Sequence, residues 1–559
     1  MRAALASLAG WLCIVLAGCG EGKGGDAAAV AQPYLPAQDT VRVTGGTVQA
    51  SGDSTAQLRV FRAMPFAAPP VGQLRWKAPQ AVVAWNGVRR ADSFAAGCVT
   101  GNRPFGQPGS ILYQNSETQS EDCLYLNVWS GAAAGSTEKR PVMVLLHGGA
   151  LLLGSGAQPN YDGTGLAQKG AIVVTLNYRL GALGFLAHPG LSAESPDRVS
   201  GNYGLLDTIA ALRWVAANIA SFGGDPANVT VYSESAGAQL ASVLLASPLA
   251  KGLFHRAVLE SLASFPAGAD TATLATAEVA GTALAANLGA PDIAALRALL
   301  PQQIMAGTGS VVGVIVDGYA LPDQLDKLYA RGAFHDVPLL TGWNADEGTP
   351  YPLFATTLAT YRSTAAQRYG SFAEAFARTY PVQSDADVLA MAHAPMRDGM
   401  FGWQPWTLAR AHAAHAASPT WLYHFMRRPS YFPTQHFTEL DPPGRYGAHH
   451  TLEQVYFYNN LDRSAPLRAW SDVDRRIADV ASSYLVNFAV TGDPNRGPHA
   501  QAALPAWPAF GGAGHQVTPQ AMLIGDAIEP GPVPQQAALA FFDAFYAGTL
   551  GRPLPFALP

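Results

Sequence analysis

A serine flanked by small residues stands between an apolar run and an Ala- and Leu-rich stretch. Val229-Thr-Val-Tyr232 predicts a buried strand, residues 233–237 (Ser-Glu-Ser-Ala-Gly) predict a sharp turn, and residues 238–245 predict a helix. A strand-to-helix turn of this kind holds Ser235 above the sheet, at a helix N-terminus whose partial positive charge favours an alkoxide. Ser235 is therefore suited to nucleophilic attack on a carbonyl carbon.

The turn departs from the usual Gly-x-Ser-x-Gly pattern because its first position is Ser233. Glycine at that position lets the helix and the strand approach closely, whereas serine adds a hydroxymethyl group. The simpler interpretation of Ser235 is a helix N-cap, a position that serine often occupies. The segment alone leaves both interpretations open.

A glycine-rich segment also follows an earlier apolar run. Acyl transfer needs hydrogen-bond donors for its intermediate, and such a segment can supply them. His147-Gly-Gly-Ala150 comes directly after Pro141-Val-Met-Val-Leu-Leu146, which predicts another buried strand. Backbone N–H groups at such a loop can bind the oxyanion of a tetrahedral intermediate. The predicted donors are the N–H groups of Gly149, Ala150 and Ala236. A tight turn without catalytic work would explain the glycines, but not their pairing with the downstream serine turn.

A reactive serine requires a general base, and the base requires an acid that orients it. The chain has 13 histidines. Residue types and spacing alone do not select one of them.

The elements that must position these groups alternate between strand and helix. Ala171-Ile-Val-Val-Thr-Leu-Asn177 is a further apolar run, and residues 202–220 carry apolar side chains at helical spacing. This alternation predicts an α/β fold with a large, mostly parallel sheet between helices. The remaining predicted elements are an opening hairpin formed by Val41–Val48 and Leu58–Arg62, helical insertions near 265–310 and 352–420, and a C-terminal helix from Gln535 to Ala547.

The N-terminus has the pattern of an export signal. Met1-Arg2 precedes a short apolar stretch that ends in Leu16-Ala-Gly-Cys19, which is similar to a bacterial lipobox. Residues 1–19 are therefore predicted to be a signal peptide, Cys19 the lipidation site and residues 20–38 a flexible tether. The alternative is ordinary cleavage nearby, which would release a soluble protein. Residues 39–559 then form a single domain with long insertions.

Composition narrows the class of protein. The chain has 559 residues, of which 49% are hydrophobic and 13% charged, and its formal net charge is -5. These values predict a well-packed globular protein, and the absence of a Lys/Arg block gives no reason to expect nucleic acid. Cys98 and Cys123 are the cysteines outside the predicted signal. In an exported protein such a pair favours a disulfide, worth about 3.5 kcal/mol for a loop of about 25 residues.

Longer motifs resemble those of the type-B carboxylesterase family, which includes the cholinesterases. The segment Glu121-Asp-Cys-Leu-Tyr-Leu-Asn-Val-Trp129 matches one family signature in full, and Phe222–Gly237 matches the other everywhere except Ser233. The supporting motifs occur in family order: Phe61–Trp76, Asn177–Phe185, Gly201–Asp207, Asn344–Gly348, Gly447–Glu453 and Asn487–Asn495.

The resemblance implies roles that spacing does not supply. It implies that Glu347 is the acid and His450 the base of a Ser–Glu–His triad, with adjacent His449 as the alternative base. Glu234 and Glu453 are implied to be carboxylates that polarise the site. The Cys98–Cys123 bond matches the family's first disulfide.

Two charge pairs are also implied to be buried, Arg75 with Glu121 and Arg179 with Asp207. Departures from the family occur at Leu151–Leu153, Trp343 and Tyr113, where relatives often carry different residues.

The expected activity is hydrolysis of a small-molecule carboxylic ester through an acyl-enzyme, without a metal or an organic cofactor. A non-catalytic adhesion protein of the same family is the rival, although such members lose the nucleophile. Lipase, thioesterase or amidase preference stays open. The predicted protein is an exported bacterial enzyme, lipid-anchored in the cell envelope, or otherwise periplasmic or secreted.

Overall fold

A large mixed sheet organises the fold. The computed structural model describes residues 34–101, 109–112, 118–309, 313–440, 443–500, 504–511 and 519–556, so the predicted signal, Cys19 and Tyr113 lie outside the described residues. The strands are β1 (Thr40–Val43), β2 (Gly46–Gln49), β3 (Arg59–Pro65), β4 (Val88–Arg90), β5 (Gly97–Cys98), β6 (Gln119–Ser120), β7 (Tyr125–Ser130), β8 (Arg140–Leu146), β9 (Ile172–Leu176), β10 (Gly224–Glu234), β11 (Arg256–Glu260), β12 (Leu339–Asn344), β13 (Thr420–Phe425), β14 (Ala509–Gly511), β15 (Gln520–Ile524) and β16 (Ile528–Pro532).

Within the described ranges, eleven of these strands form the main sheet. Their order is β16-β15-β13-β12-β11-β10-β8-β9-β7-β3, and β14 pairs with β13 off this path. Pairing is parallel from β9 through β15 and antiparallel at β3–β7, β7–β9, β13–β14 and β15–β16. The predicted α/β-hydrolase architecture, with a mostly parallel sheet flanked by helices, is confirmed.

Helices pack on the sheet and fill the insertions. They are α1 (Thr164–Gln168), α2 (Gly181–Phe185), α3 (Pro189–Glu194), α4 (Tyr203–Asn218), α5 (Ala236–Ala246), α6 (Leu274–Asn287), α7 (Ile293–Ala298), α8 (Pro301–Ala306), α9 (Leu325–Ala330), α10 (Leu358–Tyr369), α11 (Ala373–Thr379), α12 (Asp385–Met391), α13 (Ala394–Met396), α14 (Trp403–His415), α15 (Leu452–Phe457), α16 (Asp472–Thr491) and α17 (Gln536–Leu550). One turn of π-helix, Arg397–Gly402, joins α13 to α14.

Both faces of the sheet are buried, as the continuous apolar runs predict. In β8, Val142 and Val144 join the apolar core that contains α4 and α5, whereas Met143 and Leu145 join the core under α15 and α16. Strand alternation therefore divides one apolar run between two cores. Among the described helices, only the stretch Tyr203–Phe222 has the length and apolar composition to cross a membrane, and it lies mostly buried inside the molecule.

The predicted opening hairpin is correct only in its first part. β1 pairs antiparallel with β2, and both belong to a small sheet with β4. Leu58–Arg62 does not join them: β3 crosses to the edge of the main sheet and pairs with β7. The physical reason is burial, because Phe61 and Met64 become fully enclosed against the main core there.

The implied covalent and ionic links near this edge are confirmed. Cys98 and Cys123 form a disulfide. Arg75 binds both carboxylate oxygens of Glu121, with Nε–Oε1 at 2.7 Å. Arg179 likewise binds both oxygens of Asp207, and these side chains are 5% and 0% exposed. The bridges hold loops close to the strands on which the site depends.

We expect Asp207→Ala to lower the free energy of unfolding by about 3–5 kcal/mol, because the substitution leaves the Arg179 guanidinium buried without its counter-charge. Chemical denaturation of purified protein measures this loss. Glu374→Ala is the matched control, since its pair with Arg378 is largely exposed and its loss should be far smaller. Equal losses in the two variants would contradict a buried, structural pair at Asp207.

Candidate active site

Ser235 sits at a strained turn between β10 and α5. Its backbone has φ +54° and ψ -125°, and its N–H donates to the Glu260 carbonyl at 2.9 Å. A Cβ on Gly237 would lie 2.0 Å from the Leu146 carbonyl oxygen, so the turn needs glycine there. A non-glycine residue held at positive φ is the geometry expected of a nucleophile elbow.

Ser233, the departure from the usual pattern, is accommodated inside the sheet. Its side chain is fully buried, and its hydroxyl donates to the Val258 carbonyl at 2.9 Å. The extra hydroxyl group is therefore paired with neighbouring strand β11, and Ser233 does not line the catalytic pocket.

The structure brings three of the predicted residues into one chain of hydrogen bonds. His450 Nε2 lies 2.8 Å from Ser235 Oγ, and His450 Nδ1 lies 2.6 Å from Glu347 Oε2. Ser235 follows β10, Glu347 follows β12, and His450 lies in the loop before α15. The carboxyl ends of parallel strands meet at one edge of the sheet, which places these loops together. Protonated Nδ1 leaves Nε2 free to accept the serine proton.

His449 has other partners. Its Nδ1 lies 2.6 Å from the His450 carbonyl oxygen, and its Nε2 accepts from Arg468 Nη2 at 3.0 Å. Burial, and next the Arg468 charge, keep the His449 pKa well below its usual range. His449 is thus a neutral side chain that holds the loop, while His450 is the one beside Ser235.

A second buried carboxyl group stands behind Glu347. The Ser261 hydroxyl lies 2.6 Å from Glu347 Oε1 and 2.9 Å from Glu453 Oε1, and the Asn344 side-chain amide bonds Glu453 Oε2. Burial, and next the charge of Glu347, raise the pKa of Glu453 to about 8. One hydroxyl proton cannot serve two carboxylates, so a protonated Glu453 completes the network by donating to Ser261.

Glu234 faces the pocket beside the nucleophile. Its Oε1 lies 3.2 Å from His450 Nε2, and neither carboxyl oxygen has a hydrogen-bond partner among the described residues. Burial, and next the charges of Glu453 and Glu347, hold the Glu234 pKa well above its usual range. Glu234 is therefore a buried carboxyl group with a raised pKa, directly beside the nucleophile and the base.

Two residues of this cluster were missed from the sequence. Glu260 is fully buried, and its Oε1 accepts from the Tyr232 hydroxyl at 2.9 Å. Ser261, next to it, adopts φ +63° and joins Glu347 to Glu453. The available signal was their position, since two polar residues directly follow the apolar run of β11 at the same sheet edge as Ser235.

The predicted oxyanion loop lines the same pocket. Gly149, Ala150 and Leu151 have φ of +108°, +55° and +59°. Within the described residues, the N–H groups of Gly149, Ala150 and Ala236 donate no hydrogen bond. Gly148 packs closely, since a Cβ there would lie 3.0 Å from Ser235 Cβ. Free N–H groups on a strained loop beside the nucleophile fit an oxyanion site.

The catalytic pocket is small and mainly apolar. Its volume is about 330 Å³, and its walls include Leu153, Tyr351 and Phe401 beside Ser235 and His450. The Phe401 and His450 ring centroids are 4.2 Å apart. Trp343 is buried against His424 and does not line this pocket. Among the described residues, no group of His, Cys, Asp and Glu is arranged to hold a metal ion.

We expect Glu453→Gln to flatten the pH dependence of stability between about pH 6.5 and 8. A raised folded-state pKa contributes stability that is full below the unfolded value, near 4.5, and is lost as pH rises through about 8. As the pH rises through this window, the wild-type free energy of unfolding should therefore decrease, by up to about 1.4 kcal/mol per pH unit for one proton. The free energy of unfolding of the variant should decrease less over the same pH range. Denaturation curves at several pH values measure both slopes.

The pH window excludes the histidines, and the difference between wild type and variant reports on Glu453, because Glu234 and Glu260 also have raised pKa values in both proteins. Buried histidines such as His147, whose pKa burial lowers to about 4, change protonation only below about pH 6.5. Glu374→Gln removes an exposed carboxylate and should keep the wild-type slope. Parallel curves for wild type and Glu453→Gln would contradict a protonated Glu453.

Serine, glutamate and histidine in that chain order, on loops of a mostly parallel sheet, define a serine hydrolase of the α/β-hydrolase fold. The chain belongs to the Carboxylesterase family, whose sequence model matches residues 37–529. It is a carboxylic-ester hydrolase.

Bacterial relatives and a solved structure support this assignment. The chain is 40% identical to the fumonisin B1 esterase of Sphingopyxis macrogoltabida, over 82% of this chain and 83% of that protein. It is 35% identical to the para-nitrobenzyl esterase of Bacillus subtilis (strain 168), over 84% of this chain and 91% of that protein. A solved structure named PNB esterase superposes with a TM-score of 0.72 at 31% identity, covering 90% of this chain and 99% of that one.

Proposed function

We propose that Ser235, His450 and Glu347 carry out the ester hydrolysis through an acyl-enzyme. The observation that supports this most strongly is the hydrogen-bond chain from Ser235 Oγ through both nitrogens of His450 to Glu347. Ser235 Oγ attacks the ester carbonyl as His450 Nε2 takes its proton. Glu347 keeps the imidazole in the required tautomer and offsets the positive charge that develops on it.

The negative charge of the tetrahedral intermediate goes to the oxyanion loop. The N–H groups of Gly149, Ala150 and Ala236 stabilise the oxyanion, because they are fixed before the reaction and need no reorganisation. The C–O bond to the alcohol then breaks as His450 returns its proton to the leaving oxygen. Water, deprotonated by His450, attacks the acyl-enzyme and releases the acid and free Ser235.

We propose further that oxygen esters are the preferred substrates over thioesters and amides. The apolar pocket suits an uncharged ester carbonyl, and the relatives above are named for esters, fumonisin B1 and para-nitrobenzyl compounds among them. An oxygen ester, a thioester and an anilide with the same acyl group, assayed side by side, test this preference. A higher kcat/KM for the thioester or the anilide would reassign the activity.

We propose that the enzyme is exported and held on the bacterial cell envelope by acylated Cys19. The support is the lipobox-like Leu16-Ala-Gly-Cys19 after a short apolar stretch. Wild-type protein should partition into detergent, while Cys19→Ser should appear in the aqueous phase or accumulate unprocessed. Cys13→Ser, inside the same apolar stretch, is the matched control and should keep the anchor. Wild-type protein found wholly in the aqueous phase, with residues upstream of Cys19 retained, would contradict lipidation.

A further inference from the structure

A second, larger cavity adjoins the catalytic pocket. Its volume is about 760 Å³, against about 330 Å³ for the pocket that contains Ser235. Four side chains line both spaces, namely Gln239, Leu262, Met396 and Met400. The boundary between them is therefore a single layer of side chains. A substrate arm too large for the catalytic pocket has this cavity as its neighbouring space.

The boundary is built from side chains that can move. Met396 directly precedes the π-helical turn Arg397–Gly402, and Met400 lies within it. Methionine side chains are unbranched and flexible, so they can change conformation to fit different ligands. Gln239 lies one helical turn after Ser235, and its side-chain amide makes no hydrogen bond among the described residues. An extended substrate arm would reach the larger cavity through this layer, where Gln239 offers it one free amide.

The walls of the larger cavity are mostly apolar, and several of their polar groups are already paired. The Gln404 amide exchanges two hydrogen bonds with the Phe265 backbone, and the Tyr546 hydroxyl donates to the Gly399 carbonyl. Among the described lining residues, Arg368 is the only charged side chain. Arg368 is exposed, and its guanidinium lies 5.9 Å from the Tyr369 ring centroid. It has no carboxylate partner in the described part of the chain, so it is available to an anion.

From this arrangement we infer that the enzyme favours esters of which one arm is extended, apolar and carboxylate-terminated, with Arg368 as the residue that binds the terminal carboxylate. The apolar walls bury the methylene chain, and the guanidinium supplies charge and paired N–H donors at its end. Glu234 lines the catalytic pocket but not the larger cavity, so its carboxyl group does not face the proposed carboxylate site. Arg368 is thus a specificity residue, remote from the bond that breaks. The inference rests on the ester hydrolysis proposed for Ser235.

The test compares esters that differ only at the far end of one arm. For the acyl arm these are p-nitrophenyl octanoate and mono-p-nitrophenyl suberate; for the alcohol arm they are octyl acetate and 8-acetoxyoctanoate. In one of the two series, Arg368→Gln should lower kcat/KM for the carboxylate-terminated ester about five- to tenfold. The methyl-terminated partner should change less than about twofold, and the difference should shrink as salt is added.

Arg362→Gln is the matched control, because Arg362 is, like Arg368, an exposed arginine on helix α10, but it does not line the cavity. It should leave all four values unchanged. Unaltered ratios in both series for Arg368→Gln, or equal effects of the two arginine variants, would overturn the assignment. Failure of wild-type enzyme to cleave any of the four esters would instead count against the proposed ester hydrolysis itself.

Discussion

Ser235→Ala should lower kcat by 10³-fold or more while the protein keeps its fold. The substitution removes the atom that forms the acyl-enzyme, and only binding and the oxyanion donors remain to assist water. Ser235 makes its structural hydrogen bond through its backbone N–H, which alanine retains. Hydrolysis of a p-nitrophenyl ester under single-turnover and steady-state conditions measures the loss, and thermal unfolding checks the fold.

Ser233→Ala is the control for Ser235→Ala. The Ser233 hydroxyl donates its hydrogen bond to the Val258 carbonyl. Its removal should therefore lower the stability by about 1 kcal/mol and change the activity little. An active Ser235→Ala enzyme, or a larger loss of turnover at Ser233, would contradict the proposed nucleophile.

His450→Ala should lose nearly as much activity as Ser235→Ala, because the serine then has no group to take its proton. The double variant should be no worse than either single variant by more than a small factor, since triad members act as a unit. His449→Ala should lose far less, about tenfold, through disturbance of the loop that its bond to Arg468 supports. Steady-state kinetics on the four proteins measures these ratios.

The opposite ranking of the two histidine variants would show that the base had been assigned one residue away from its true position. Additive losses in the double variant would contradict a single hydrogen-bonded unit. Comparable unfolding temperatures of the His450→Ala and wild-type proteins are required for either conclusion.

Strong local signals allowed much of the fold to be predicted from the sequence. β8, β9 and the end of β10 are continuous apolar runs, and the turn after β10 is fixed by small residues around Ser235. The resemblance to the family's motifs then predicted the Cys98–Cys123 disulfide and the two arginine–carboxylate pairs. Such features depend on residues near in sequence or on a family pattern that spans the chain.

Features that depend on tertiary burial were not predictable in this way. β3 has the composition to extend the opening hairpin, but the enclosure of Phe61 and Met64 takes it to the main sheet. The Ser261 bridge between Glu347 and Glu453 joins three separate loops, and no spacing along the chain reveals it. The cavity near Arg368 likewise exists only after distant insertions have packed together.

The most direct test of Ser235 as the nucleophile is the mapping of a fluorophosphonate adduct by mass spectrometry of the digested enzyme. Because the elbow serine is activated by His450 and faces the oxyanion donors, one equivalent of reagent should be bound, and the modified peptide should carry it on Ser235. The Ser235→Ala and His450→Ala proteins should remain unlabelled over the same period. An adduct on Ser233 or on another residue, or full activity after stoichiometric labelling, would contradict the assignment of Ser235 as the nucleophile.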